Sequence, residues 1–180
     1  MANHFNMYST KIESDKSLGM SNGASAVFFT VLGLSGSRLA KSKKEKEIII
    51  WLLEKDQEYV GRGTIGFDIC DMPWEIDTFV EEKNFLLNII RKVKEKIGWE
   101  TLNYNPNEEF IFHFIDIFFN MIVEFNPKYI DESNYKEWLD ASQESDPLNQ
   151  GFPVCEKHKI KEIGISSNDN IYNLEDVINN

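Results

Sequence analysis

The chain has 180 residues with 30 acidic and 19 basic side chains, which give a net charge of −11 at pH 7. This acidity argues against nucleic acid and anionic membrane surfaces as partners, because both attract clustered lysine and arginine. The two cysteines do not make a disulfide framework and are typical of a reducing compartment, so we expect a cytoplasmic protein.

The net charge comes entirely from the second half of the chain. Residues 1–99 carry 14 acidic and 14 basic side chains, whereas residues 100–180 carry 16 acidic and 5 basic ones. The pattern predicts a charge-balanced scaffold with one acidic region. Such a region attracts cations, which means metal ions or a basic protein.

The N-terminal part of the chain is predicted to be irregular and then helical. Residues 1–23 are rich in Ser, Asn and Lys, which predicts an irregular arm. The apolar stretch 24–34 is compatible with a buried strand or a buried helix, and its length and the helices after it favour a helix. Ser42 and Glu45 form a capping box, and the apolar spacing that follows predicts a helix over about 43–58.

A glycine-rich segment over 59–74 interrupts the helical pattern. Gly61, Gly63 and Gly66 spell G-x-G-x-x-G, but a capped helix precedes them and Pro73 follows. The strand–turn–helix frame of a dinucleotide site is therefore missing. The segment is interpreted either as a tight connection or as a functional loop on a rigid scaffold.

Apolar spacing and helix-ending residues predict further helices over about 75–97, 107–125 and 134–141. The fold class is therefore mainly α: a single domain over residues 1–180, with about four main helices around an aromatic core. Its helical core is residues 24–126. The remaining residues, 127–180, form an irregular acidic region with room for a short hairpin.

The 107–125 helix is apolar on almost every side, which predicts that nearly all of it is buried. Its polar residues fall on one line of the helix: Glu109, His113, Asp116, Asn120 and Glu124. The favoured interpretation is a line that faces solvent or a neighbouring helix. The alternative is a metal or acid–base site, which needs groups from other elements.

Two possible chemical sites follow from these motifs. If the protein is an enzyme or binds a small ligand, its site lies where the 59–74 segment meets the 107–125 helix, with Arg62, Asp68, Asp71, His113 and Asp116 as the candidate residues. Cys155 and His158 form C-x-x-H, which is half of a zinc site. The other half is absent from the sequence, so we expect no metal and no cofactor.

The stretch 129–146 combines aromatic rings with many carboxylates and a single Lys136. Its candidate partner-binding residues are Tyr129, Asp131, Glu132, Tyr135, Glu137, Trp138, Asp140, Glu144 and Asp146. In one interpretation the acids steer a cationic protein and the rings anchor it. In the other, the acids keep the surface soluble and the rings turn inward.

Two sequence blocks resemble those of known small proteins. GRGTIGFDICDMPW resembles a recurring block of a bacterial family without an assigned activity, which implies no catalytic residue. CEKHKI is similar to the first half of a Cys/His pairing, but residues 164–167 (GISS) stand where a second pair would be.

By type and composition, the chain also resembles immunity proteins that neutralise basic toxins. The leading expectation is a non-enzymatic protein that binds and neutralises a basic partner.

Overall fold

The computed structural model of the protein describes residues 2–8, 17–57, 63–143, 154–155 and 160–161. This part of the chain contains five α-helices: α1 (Asn22–Leu39), α2 (Lys43–Leu53), α3 (Phe79–Lys94), α4 (Glu108–Glu124) and α5 (Glu132–Gln143). The prediction of a mainly α single domain is confirmed. None of the described helices is long and apolar enough to cross a membrane.

Helix α1 is the centre of the fold, which settles the 24–34 stretch as a helix. Its N-cap is Ser21, whose side chain accepts a hydrogen bond from the backbone N–H of Ala24. Its residues 24–37 are all buried or half-buried, and it contacts α2, α3 and α4. Close approach to α2 depends on Gly36, because a Cβ at that position would clash with Ile49.

The core around α1 is aromatic, as predicted. Phe28 packs edge-on against Phe118 of α4, with ring centroids 5.4 Å apart. Phe5 meets Phe67 in the same way at 5.2 Å. Such tilted and edge-to-face contacts are the arrangements that aromatic rings prefer, and each adds about 0.5–1.5 kcal/mol beyond the area it buries.

The described residues also form three short antiparallel strand pairs. β1 (Ala2–Asn6) pairs with β2 (Ser17–Ser21), and β3 (Asp56–Gln57) pairs with β4 (Gly63–Thr64). β5 (Val154–Cys155) and β6 (Ile160–Lys161) form a short C-terminal hairpin, and β6 lies against α1.

The prediction of an irregular N-terminal arm is wrong for the described residues. In β2, the buried residues Leu18 and Met20 alternate with exposed neighbours, and β1 contributes the fully buried Phe5. This alternation with a period of two is the pattern of a strand that covers a core on one face. It was masked by the polar composition of the segment as a whole.

Several predicted helix ends are also corrected. α2 stops at Leu53 rather than 58, because the chain turns into β3. α3 begins at Phe79, after a 3-10 turn over Ile76–Thr78, and ends at Lys94. The chain beyond it adopts positive φ at Lys96 and Gly98, so a helix cannot continue to 97. α5 is longer than the 134–141 helix that was predicted.

Candidate functional site

Helix α5 carries most of the predicted partner-binding residues, and two of its aromatic rings turn inward. Tyr135 Oη donates a hydrogen bond to Glu47 Oε2 at 2.8 Å, and Trp138 Nε1 donates one to Glu54 Oε2 at 2.8 Å. Both rings are half-buried. They therefore hold α5 on α2 and are not free to anchor a partner.

The segment before α5 is held in the same way. The ring of Tyr129 is half-buried against Tyr8, with centroids 4.3 Å apart. Glu132 Oε1 accepts a hydrogen bond from the backbone N–H of Ile76 at 2.9 Å. The start of α5 therefore adjoins the 3-10 turn that leads into α3.

The carboxylates of the predicted surface lie on the outside. Those that face solvent on α5 and just before it are Asp131, Glu132, Glu137 and Asp140. Two hydrogen bonds from Ser133 lower the pKa of Asp131, so this carboxylate keeps its charge in mildly acidic solution. Glu144 and Asp146 lie outside the described residues.

A half-buried lysine links α5 to α2 and α3. Lys44 Nζ lies 2.7 Å from Glu75, 3.6 Å from Glu82 and 3.3 Å from the centroid of the Tyr135 ring. Its hydrogen bond lowers the pKa of Glu75. Burial raises the pKa of Glu82, whose side chain is only 3% exposed and accepts a hydrogen bond from Thr78 Oγ1.

A half-open cavity of about 220 Å³ adjoins this lysine. It is lined by Ser42, Lys44, Glu45, Ile48, Glu75, Thr78, Glu81 and Glu82. Four carboxylates and one ammonium group share its wall, so the cavity is electronegative. Its position between the start of α2 and the start of α3 places it next to α5.

The 59–74 segment contributes a compact polar cluster. One ligand atom each from Asp68, Cys70 and Asp71 lies within 4.8 Å of the other two. Asn6 donates a hydrogen bond to Asp68, and Asn134 of α5 donates one to Asp71. Burial and the charge of Asp68 raise the pKa of Asp71. The cluster thus places the buried thiol of Cys70 beside a carboxylate whose pKa is raised.

The structure does not bring this cluster to the polar line of α4. His113 and Asp116 are exposed, and Asp116 forms an ion pair with Lys94 at 2.6 Å. Where α4 meets the 59–74 segment, Phe118 packs on Phe67 from the buried face of the helix. Arg62 lies outside the described residues.

The polar line of α4 faces solvent along its whole length. All five of its residues are exposed, as the favoured interpretation expected. However, the expectation that the rest of the helix is nearly all buried is wrong, because Phe110 and Val123 are also exposed. Among the described residues, the neighbours of α4 cover only one side of it.

Of the two predicted zinc ligands, Cys155 and His158, the structure describes only the first. Cys155 belongs to β5, and His158 lies outside the described residues. No ligand set can therefore be assembled around this pair.

No sequence prediction covered several charged residues that organise the surroundings of α5: Lys44, Glu47, Glu54 and Glu82. The burial of Glu82 could have been predicted from the sequence. It lies three residues after Phe79 and four before Leu86, which places it on the apolar face of α3. No such pattern existed for Lys44, because a lysine in the first turn of a helix usually faces solvent.

Comparison with known protein families, curated proteins and solved structures finds no match to this chain.

Proposed function

We propose that this is a non-enzymatic protein that binds and neutralises a basic partner, as an immunity protein does with a basic bacterial toxin. The single observation that carries the proposal concerns Asp131, Glu137 and Asp140. These carboxylates face solvent, and none of the ion pairs within the described residues involves them.

Other carboxylates of the acidic second half are already neutralised from within. Glu100 pairs with Arg38, Glu108 with Lys96, and Asp116 with Lys94. In these three pairs, a cation of the first half meets an acid of the second half. Within residues 100–143, the exposed carboxylates outside these pairs therefore lie largely around α5.

A concentrated negative surface accelerates encounter with a cationic protein. Steering by such a surface raises association rates by about 10- to 1000-fold at low salt. It weakens as salt shortens the Debye length, which is about 8 Å at physiological ionic strength. A neutralising protein benefits directly, because fast capture limits the time during which its target is free.

The proposal includes a bacterial, cytoplasmic setting. The buried thiol of Cys70 is typical of a reducing compartment. The alternative of a small enzyme would need His113 and Asp116 to join Asp68 and Asp71. His113 and Asp116 are exposed on α4, whereas this helix meets the segment that carries Asp68 and Asp71 through its buried residue Phe118.

The test reverses the charge of Asp131, Glu137 and Asp140 to Lys in one variant. Its probe is a short fluorescein-labelled helical peptide of arginine, leucine and alanine, called here the basic peptide. We expect the association rate constant at low salt, measured by stopped-flow fluorescence, to fall at least about tenfold, because the steering field is removed.

The matched control places the same charge change on the polar line of α4, with Glu109, Asp116 and Glu124 changed to Lys. The net charge of the two variants is then equal. We expect the control to lose less than about threefold in rate, since its charges lie away from the docking face. Equal losses in both variants would show that only net charge matters, and would contradict a docking face at α5.

A further inference from the structure

Two aliphatic side chains stand exposed beside the acidic face. Ile76 is 51% exposed and Val80 is 64% exposed. They are four residues apart in a helical stretch, the 3-10 turn over Ile76–Thr78 followed directly by α3. Both side chains are therefore exposed within one short segment of the chain. We call these two residues the Ile76–Val80 patch.

The patch adjoins the docking face and shares its charge. The backbone of Ile76 is hydrogen-bonded to Glu132 at the start of α5. Asp77 and Glu81, each the next residue along the chain from a patch residue, are exposed carboxylates. Glu81 also lines the electronegative cavity near Lys44. An apolar anchor point is therefore surrounded by negative charge.

The anchoring groups that the sequence suggested are engaged elsewhere. Tyr135 and Trp138 use their polar atoms to hold α5 on α2. An interface needs an apolar contact that excludes water as well as charges that steer. Beside the docking face, the Ile76–Val80 patch offers that contact.

We propose that the patch docks a partner segment in which an apolar side chain is flanked by arginine or lysine. The apolar side chain packs on Ile76 and Val80, and the flanking cations face Asp77, Glu81 and the mouth of the cavity. This inference rests on the proposed function and specifies the chemistry of its partner.

Charge complementarity selects this occupant over others. A second copy of the chain would bring a net charge of −11 to the same surface, and its carboxylates would face those around the patch. An anionic lipid surface is repelled for the same reason. A basic protein segment with an apolar side chain can cover the exposed aliphatic area and also pair with the surrounding negative charge.

The first experiment maps the contact of the basic peptide on the unmodified protein. The peptide is added to ¹⁵N-labelled protein, and amide chemical shifts are followed by NMR. We expect the largest shifts within residues 75–82 and at the start of α5. Shifts confined to α5, with none over 75–82, would overturn the inference.

The second experiment removes the aliphatic surface without changing any charge. The variant carries Ile76→Ser and Val80→Ser, and its control carries Phe110→Ser and Val123→Ser, which removes exposed apolar side chains from α4. We expect the affinity for the basic peptide, measured by fluorescence anisotropy, to fall about tenfold in the first variant and to stay unchanged in the control.

The outcomes separate the two proposals. Unchanged affinity of the Ile76/Val80 variant, with binding still lost on charge reversal of α5, would overturn the apolar anchor and leave the acidic docking face standing. Failure of the unmodified protein to bind the basic peptide at low salt would overturn both. A peptide with serine in place of leucine should bind as weakly as the Ile76/Val80 variant does.

Discussion

The carboxylates around α5 differ in burial and in hydrogen-bond partners. Glu54 is partly buried, and its side chain accepts a hydrogen bond from Trp138. Burial raises its pKa above the usual value of 4.5, and the hydrogen bond only partly offsets that effect. The folded state therefore holds the Glu54 proton more tightly than the unfolded state does. Its contribution to stability is fully present below pH 4.5 and is lost as the pH rises through the raised pKa.

Replacing this carboxylate with a neutral amide tests that assignment. Glu54→Gln keeps an acceptor for Trp138 but removes the cost of burying a charge. We expect its free energy of unfolding at pH 7, from urea denaturation, to rise by about 1 kcal/mol. Its stability should also decline less steeply between pH 4.5 and 7. The exposed control Glu137→Gln should change by less than about 0.5 kcal/mol. A less stable Glu54→Gln protein with an unchanged pH dependence would contradict the assignment.

At the scale of elements, α5 is held on the body of the protein largely by polar side chains. Asn134, Tyr135 and Trp138 each donate a hydrogen bond to a carboxylate of another element. Each such bond is worth about 1.5–3 kcal/mol when its acceptor is charged. α5 should therefore open locally more readily than the central α1, which is surrounded by apolar contacts.

Removing one of these donors should loosen α5 alone. Tyr135→Phe keeps the ring but leaves Glu47, whose side chain is nearly inaccessible, without its hydroxyl donor. We expect amide hydrogen exchange in α5 to speed up about tenfold or more, while exchange in α4 is unchanged. Tyr129→Phe, which also keeps its ring, is the matched control and should leave α5 unaffected. Equal exchange rates in both variants would show that the hydroxyl does not hold the helix.

Local patterns predicted the helices well and the strands poorly. The capping box of Ser42 and Glu45 is present in the structure, because both halves of that motif lie within four residues. The β1–β2 pair did not follow from local patterns. Its two strands are separated in sequence, and they gain stability only by pairing with each other and by covering the core. For the same reason, sequence could place the acids of α5 but not the direction of its rings, which depends on acceptors supplied by α2.

At the scale of the whole molecule, the negative charge of the described residues is distributed more narrowly than the sequence predicts. Cations of the first half neutralise acids of α4 and its flank, as Lys94 does for Asp116. The acidic side also includes residues of the first half, such as Asp77 and Glu81. We therefore propose a localised negative face, built from α5 and residues 75–81, that recruits a basic partner.

The most direct measurement of this claim needs no partner. Paramagnetic relaxation of amide protons is recorded by NMR with a cationic and then an anionic nitroxide cosolute. The ratio of the two relaxation enhancements reports the electrostatic potential near each amide. The account predicts the most negative potential around α5 and residues 75–81, with clearly weaker values along the exposed line of α4. A potential that is equally negative over both faces would contradict it.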